Sequence, residues 1–446
     1  MDKSEELKTL PIRKLIITIT SPAIFSFIIS TLNIAIDRIF IGQAIGTTAL
    51  AAVTVALGIQ TLIQAVSQII ASGASSAIAL ELGKNNKKKV NLLVGNAFML
   101  SVIMSIVITF LGCVFIKPIL KAYGANNECM EYAVQYTYIM IGSTFLFFLG
   151  QVMNNIIRGI GYAKIAMYNF LSSLIVNTCF DAIFLLVFHM GIKGAALSTA
   201  LGYLTSSILS IRFLRSCKSI GTLKLKNIGI NKDLVKMIIS IGMPSFLVQI
   251  GLSIISLVFN HIANIYGGSE AVASYGVVNT LIMIIYMPIM GLSIGIQSIV
   301  GINYGAGLYN RVKETVLKSI KYSSIFCIIS AVIFEVFAEN ISSLFSGNGG
   351  NSLIILTATG IRIVGISISL VGLILIGANY FQYVGKAKES IFLVSLRQFI
   401  LLVPLAIILP IFFGIKGMFA ASAVSDIISF VIILIFFIKE LKTHQQ

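Results

Sequence analysis

The chain has 446 residues, 57% of them hydrophobic and 11% charged, with a mean hydropathy of +0.98. Soluble globular proteins carry about 25% charged residues, so these values exclude a soluble enzyme, a disordered chain and a disulfide-stapled secreted domain. The 32 Lys and Arg outnumber the 16 Asp and Glu, a net +16 that in so apolar a chain reads first as loop charge fixing membrane topology.

A spanning helix takes about 20 apolar residues, and apolar runs between charged or Gly/Asn-rich breaks give twelve spans. Residues 1–14 are polar and mixed in charge. The first span, 15–41, is followed by no small-residue cleavage site and reads as a retained helix, not a signal peptide. It carries Pro22 and a polar stripe of Ser26, Ser30, Asn33 and Asp37, whose spacing places them on one helical face. The second span, 51–82, has Gln60, Gln64 and Gln68 one turn apart, and 90–115 and 130–157 follow, the fourth with Asn154. The fifth, 164–190, bears a ladder of Asn169, Ser173, Asn177 and Asp181, and the sixth covers 194–213. The stretch 214–233 is the longest outside the spans and reads as a cytoplasmic linker between an N-terminal six-helix lobe, 1–213, and a C-terminal one, 234–446. The second lobe holds spans 234–265, 271–304, 314–337, 353–381, 388–412 and 417–438. Met283, Met287 and Met290 share a face of the eighth span near Asn279 and Tyr286. Such a face suits either apolar ligands of varied shape or ordinary helix packing.

With both termini on one side, the tails, alternate loops and adjoining span ends hold 25 of the 32 basic residues. The opposite loops hold Lys117, Lys121, Lys193 and Lys416, and Arg38, Arg362 and Arg397 lie within spans. One helix missed or invented would move every later loop to the other side, so the asymmetry predicts twelve helices with cytoplasmic termini. The five cysteines are scattered without a CxxC, which implies neither a disulfide framework nor a zinc site.

The chain repeats itself. Gly191-Ile192-Lys193-Gly194 recurs as Gly414-Ile415-Lys416-Gly417, half a chain later. The polar stripe maps onto Gln249, Ser253, Ser256 and Asn260, and Pro22, Gly73 and Gly83 map onto Pro244, Gly295 and Gly305. Six helices per half is an even number, so the two bundles share orientation about a pseudo-two-fold along the membrane normal, an arrangement suited to alternating access around a central cavity.

Three acids lie well inside spans: Asp37, Asp181 and Asp426. A mid-bilayer carboxylate costs about 2.5–3.5 kcal/mol on insertion scales and usually marks an ion or substrate path. Asn177 and Asp181 on one face suit a hard cation or a protonatable acid, and Asp37 would bring a second carboxylate to the same bundle. Two such carboxylates would take up one proton, or Na⁺. The competing reading is that each acid pairs with an Arg or caps a broken helix, and Asp426 shows no partner face of its own. Asp37 and Asp181 map onto Asn260 and Pro404, which places the ion site in the first half only. His261, beside Asn260, reads as an interfacial or satisfied histidine, with a proton relay as the alternative. There is no HExxH and no P-loop, so no enzyme and no cofactor are expected, and transport would be driven by an ion gradient.

Pro22, Ile36-Asp37-Arg38-Ile39-Phe40-Ile41-Gly42, Ala49-Leu50-Ala51-Ala52, Arg158-Gly159-Ile160-Gly161, Asn177-Thr178-Cys179-Phe180-Asp181 and Gly191-Ile192-Lys193-Gly194-Ala195-Ala196 occur in this order. Together with the repeat they resemble the multidrug and toxic compound extrusion (MATE) transporters, and most closely the bacterial DinF-type and MepA-type branch. The resemblance implies a cation site for H⁺ or Na⁺ at Asp37, Asn177, Asp181 and Thr199. It puts in doubt the C-lobe cation site of other branches, whose acids on the seventh and tenth helices have no counterparts here. The expected protein is a monomeric antiporter of a bacterial cytoplasmic membrane that exports amphipathic, cationic organic compounds. Its cavity would draw on Asn33, Gln60, Gln64, Asn154, Gln249, Asn260, Met283, Tyr286, Met287 and Met290, with Pro22 as a hinge. The alternative is a flippase for lipid-linked oligosaccharides or lipid precursors. Three acids balanced by three arginines within the spans give no sign of the basic cavity that such an anionic cargo needs.

Overall fold

A computed structural model describes residues 3–217, 222–346 and 351–443, and among these the regular structure is entirely helical. The helices are α1 (Lys3–Thr9), α2 (Ile12–Ala44), α3 (Thr47–Gly83), α4 (Lys87–Ala122), α5 (Asn127–Gly142), α6 (Thr144–Gly159), α7 (Ala163–Ala182), α8 (Ile192–Ser216), α9 (Lys232–Gly305), α10 (Tyr309–Ser346), α11 (Asn351–Tyr383), α12 (Ala387–Ser395) and α13 (Val403–Thr443). Among the described residues nine continuous helices are long and apolar enough to cross a membrane, and the α5–α6 pair, bent by 52° at Ser143, makes a tenth. The chain is an all-α, multi-pass membrane protein.

Three of these helices, α9, α10 and α13, are continuous only in hydrogen bonding, α10 kinking at Phe337 (φ −106°, ψ 17°). Gly268 in α9 (φ 59°, ψ −152°) and Gly414 in α13 (φ 56°, ψ −142°) adopt a backbone conformation essentially restricted to glycine. Both fall in gaps between spans expected from the sequence, 265–271 and 412–417. Gly191 (φ 61°, ψ −151°), the repeat partner of Gly414, opens α8 with the same geometry. Asparagines start several helices: Asn86, Asn126 and Asn231 accept from the first free N–H groups of α4, α5 and α9.

The closest helix crossing joins α3 to α9. A Cβ on Gly73 would lie 2.0 Å from Ile238 O, and one on Gly242 would lie 1.8 Å from Ile69 O. Further along, a Cβ on Gly83 would lie 2.2 Å from Ile302 O, and one on Gly305 2.1 Å from Leu80 O. The glycines let two backbones touch where any side chain would hold them apart, as membrane helix packing favours. Around this crossing nearly all of Ile70–Gly83 and Gly291–Asn303 is buried.

Two segments outside the expected spans are also structured. Part of the polar tail 1–14 forms α1, which docks beneath the bundle. Leu7 is fully buried, Asn303 Nδ2 donates to Leu7 O at 3.0 Å, and Arg311 Nη2 donates to Leu7 O and Leu10 O at 3.2 and 2.6 Å. The linker is also tied down where it is described: Asn91 Oδ1 accepts from Thr222 N and Asn96 Oδ1 from Asn231 N, at 2.9 and 2.7 Å. Its residues 218–221, and His444, lie outside the described residues.

Candidate ion and substrate sites

α2, α7 and α8 converge on one polar cluster. The i, i+4 spacing of Asn33 and Asp37 on α2, and of Asn177 and Asp181 on α7, points both pairs inward. Asn33 joins the helices: its Nδ2 donates to Asp37 Oδ2 at 3.3 Å and to Asn177 Oδ1 at 3.0 Å, while its Oδ1 accepts from Thr178 Oγ1 at 3.0 Å. Asn177 Nδ2 donates to Asp181 Oδ2 at 3.2 Å and to Thr199 Oγ1 at 3.4 Å. Ser198 Oγ donates to Asp181 Oδ1, and the side chains of Asp37 and Asp181 come within reach of each other's charge. Asp37, Asn177, Asp181 and Thr199, the set that the family resemblance implies, thus lie together, joined by Asn33 and Ser198. Asp37 Oδ1 is buried and is the one carboxylate oxygen of the cluster without a partner among the described residues. No three His, Cys, Asp or Glu side chains converge among them, so a bound cation would rest on two carboxylates plus amide and hydroxyl oxygens. Gln60 reaches this region through Tyr136, donating to its hydroxyl at 3.2 Å.

Helix α7 runs on past Ala182 into a π-helical turn, Ile183–Val187, which begins two residues after Asp181. A second π-helical stretch, Leu396–Leu402, links α12 to α13 and contains Arg397. Such turns often mark functional positions, because the widened ladder re-aims side chains. Arg397 Nε donates to Asp426 Oδ1 at 2.8 Å, Nη2 donates to the Tyr286 hydroxyl, and Arg397 O accepts from Ser425 Oγ at 3.0 Å. Asp426 therefore has a partner, contributed by the neighbouring span across the Gly414 break.

A cavity of about 100 Å³ lies where α3 and α6 meet α9, α11, α12 and α13. Gln68, Asn155, Gln249, Gln297, Asn379 and Gln398 supply amides, Met290, Ile294 and Leu375 an apolar wall, and Arg397 the one charge among its described lining residues. Of the residues expected to line a cavity, Gln249 and Met290 do so. Asn154 faces away, donating to Ala166 O at 3.1 Å, and its neighbour Asn155 takes the wall position. Asn33 and Gln60 belong to the polar cluster. Tyr286 is held by Arg397, and Met287 Sδ accepts from Thr31 Oγ1 at 2.9 Å. Gln64 and Met283 are half-buried and Asn260 is exposed, all outside the cavity wall. Pro22 is buried within α2, whose helix runs on through it without the bond that a residue-22 N–H would give to Thr18 O.

The sequence matches the MatE family profile twice, over residues 22–183 and 244–408, and the two matched segments reproduce the internal repeat. Multidrug export protein MepA of Staphylococcus haemolyticus is 23% identical over 405 residues, covering 91% of this chain and 88% of that protein. The probable multidrug resistance protein YoeA of Bacillus subtilis is 23% identical over 331 residues, 73% of this chain and 71% of its own length. Among solved structures, a MATE in the bent conformation superposes with a TM-score of 0.93 at 23% identity, covering 100% of this chain and 98% of the other. A MOP superfamily transporter from Pyrococcus furiosus gives a TM-score of 0.92 at 23% identity, covering 100% of this chain and 99% of the other. By a family match that spans most of its length, the chain belongs to the MatE family, and its fold is that of the solved structures just described.

Proposed function

We propose that the protein is a monomeric secondary antiporter of a bacterial cytoplasmic membrane, of the DinF- and MepA-like branch, exporting amphipathic organic compounds, organic cations among them, in exchange for H⁺ or Na⁺. The observation that carries the reading is the buried two-carboxylate cluster of Asp37 and Asp181, cross-linked by Asn33, Asn177, Ser198 and Thr199. Breaking α9 at Gly268 and α13 at Gly414, and counting α5–α6 as one span, supports twelve spans in two six-helix lobes, 1–213 and 234–446, with cytoplasmic termini. The backbone contacts of Gly73 with Ile238 and of Gly83 with Ile302 then hold the lobes together at the cytoplasmic end, which supports an outward-facing state.

Binding at the cluster changes the balance of states only insofar as the ion binds one state better. Every carboxylate oxygen except Asp37 Oδ1 already has a donor. One proton fills that vacancy without rearrangement, whereas Na⁺ would need several of these oxygens to turn toward it at once, so the arrangement favours H⁺. Asp37 and Asp181 also provide the countercharge for an organic cation. Asp181→Asn is the test: in proteoliposomes it should abolish dye efflux driven by an imposed pH gradient while leaving the fold intact. Undiminished gradient-driven efflux in that variant overturns the assignment, and efflux driven by a Na⁺ gradient alone overturns the choice of proton.

A further inference from the structure

We propose that the C-terminal half carries a subsite for an anionic oxygen group, a carboxylate or phosphate, borne by an amphiphile, with Arg397 as its recognition residue. The inference rests on the reading of the cavity as the cargo path. It adds anionic and zwitterionic amphiphiles to the cargo, and it differs from the expectation that the arginines within the spans are only balanced by acids.

Arg397 and Asp426 neutralise one another, yet they are not equally placed. Arg397 lines the cavity; Asp426 stands behind it, with its side chain 9% exposed against 16% for the arginine. A ligand entering the cavity therefore meets the guanidinium first. Nε is committed to Asp426 and Nη2 to Tyr286, which fixes the plane of the fork, and Nη1 has no acceptor among the described residues. Guanidinium groups held this way are suited to carboxylate and phosphate oxygens, which bind them through short, charge-assisted hydrogen bonds.

The surroundings agree with this assignment. Gln68 and Gln249 line the same cavity with no side-chain hydrogen bond among the described residues, so their amide groups are available to the same ligand. No carboxylate is among the described lining residues, so a cationic head would find no countercharge there. Met290, Ile294, Leu375 and Val394 offer the apolar wall for the hydrocarbon part. The two halves thus carry opposite charge on corresponding helices, beside or within a π-helical stretch: Asp181 before Ile183–Val187 in one, Arg397 within Leu396–Leu402 in the other.

The test uses purified full-length protein in nanodiscs and three dansyl amphiphiles with the same alkyl chain, headed by carboxylate, phosphate monoester or trimethylammonium. The wild type should bind the carboxylate or phosphate probe, and Arg397→Gln should weaken that binding about tenfold or more, the scale of a lost hydrogen bond to a charged group. Arg397→Gln leaves Asp426 unpaired, so the charge-balanced double variant Arg397→Gln/Asp426→Asn is measured beside it and should show the same loss in a protein of wild-type melting temperature. Preference for carboxylate points to drug-like acids as cargo, and preference for phosphate to lipid precursors. Equal anion affinity in the wild type and the double variant, or tighter binding of the trimethylammonium probe to the wild type with no response to Arg397, overturns the proposal. Probe binding is measured without a gradient, so binding that ignores Arg397 while Asp181→Asn still abolishes pH-driven efflux is failure of this subsite alone, and the converse pattern is failure of the ion-coupling assignment alone.

Discussion

Replacing Gly242 by Ala tests the α3–α9 crossing as a gate. The new Cβ would stand 1.8 Å from Ile69 O and 2.6 Å from Ile69 C, both backbone atoms that no rotamer change can move aside. Restoring an ordinary contact of 3.4 Å requires the two helices to separate by about 1.6 Å, and overpacking of this kind costs about 1–3 kcal/mol. If the crossing exists only while the cytoplasmic end is closed, that cost falls on one state alone and shifts the balance away from it by about 5–150-fold. Spin labels at Lys164 and Lys388, exposed residues at the starts of α7 and α12, read the separation by pulsed electron resonance in a cysteine-free background. The variant should move population to longer distances and lose efflux, while Gly42→Ala, with nothing within 4 Å of its Cβ, should match the wild type. A wild-type distance distribution in folded Gly242→Ala protein would refute the gate.

Asn33→Ala removes the side chain that touches Asp37, Asn177 and Thr178 at once; each group left unsatisfied costs about 1–3 kcal/mol. Gradient-driven efflux should fall about tenfold or more and the melting temperature should drop, both measurable in one preparation. Arg311→Ala cuts the ties to Leu7 O and Leu10 O. Amide exchange across α1 should then quicken about tenfold or more, as expected for hydrogen bonds to a charged group, while exchange in α3 stays unchanged.

What the sequence revealed followed periodicity. Asp37 with Asn33, and Asp181 with Asn177, were legible because helical spacing alone decides which side chains share a face. Thr199 was reached through the family resemblance, and its neighbour Ser198, the residue that actually donates to Asp181, was not. No pattern within α8 separates two adjacent hydroxyls, since the rotation of one helix against another is set by packing. The Arg397–Asp426 pair was hidden for a related reason: its members lie on different spans, on either side of the Gly414 break, and only the folded hairpin brings them together. Asn154 and Asn155 show the same limit, since consecutive residues point about 100° apart and the sequence does not say which faces the cavity. Helix α1 was missed because seven residues hold too little periodicity to register, and its burial comes from a socket built by distant segments.

The proposed ion cluster and the cavity share no described lining residue, so the proposed exchange requires a physical link between them, and α2 has the contacts to provide it. At one end it carries Asn33 and Asp37. At the other it lies backbone to backbone against α9: a Cβ on Gly291 would come 2.6 Å from Ile24 Cα, and one on Gly295 2.7 Å from Thr20 Cα. Met290, Ile294 and Gln297, interleaved with those glycines, line the cavity. Pro22 sits between Thr20 and Ile24, where α2 lacks one of its own hydrogen bonds and bends at least cost. On the proposed mechanism, an ion that alters the packing of Asp37 against Asp181 tilts the far segment of α2 about this point and moves the cavity wall through the glycine contacts. Such a route is contiguous from the carboxylates to the cavity wall. Its particular demand is that substitutions at Gly291 or Gly295 uncouple ion binding from cargo release without weakening either site alone, whereas a change at Asp37 must weaken the ion site itself.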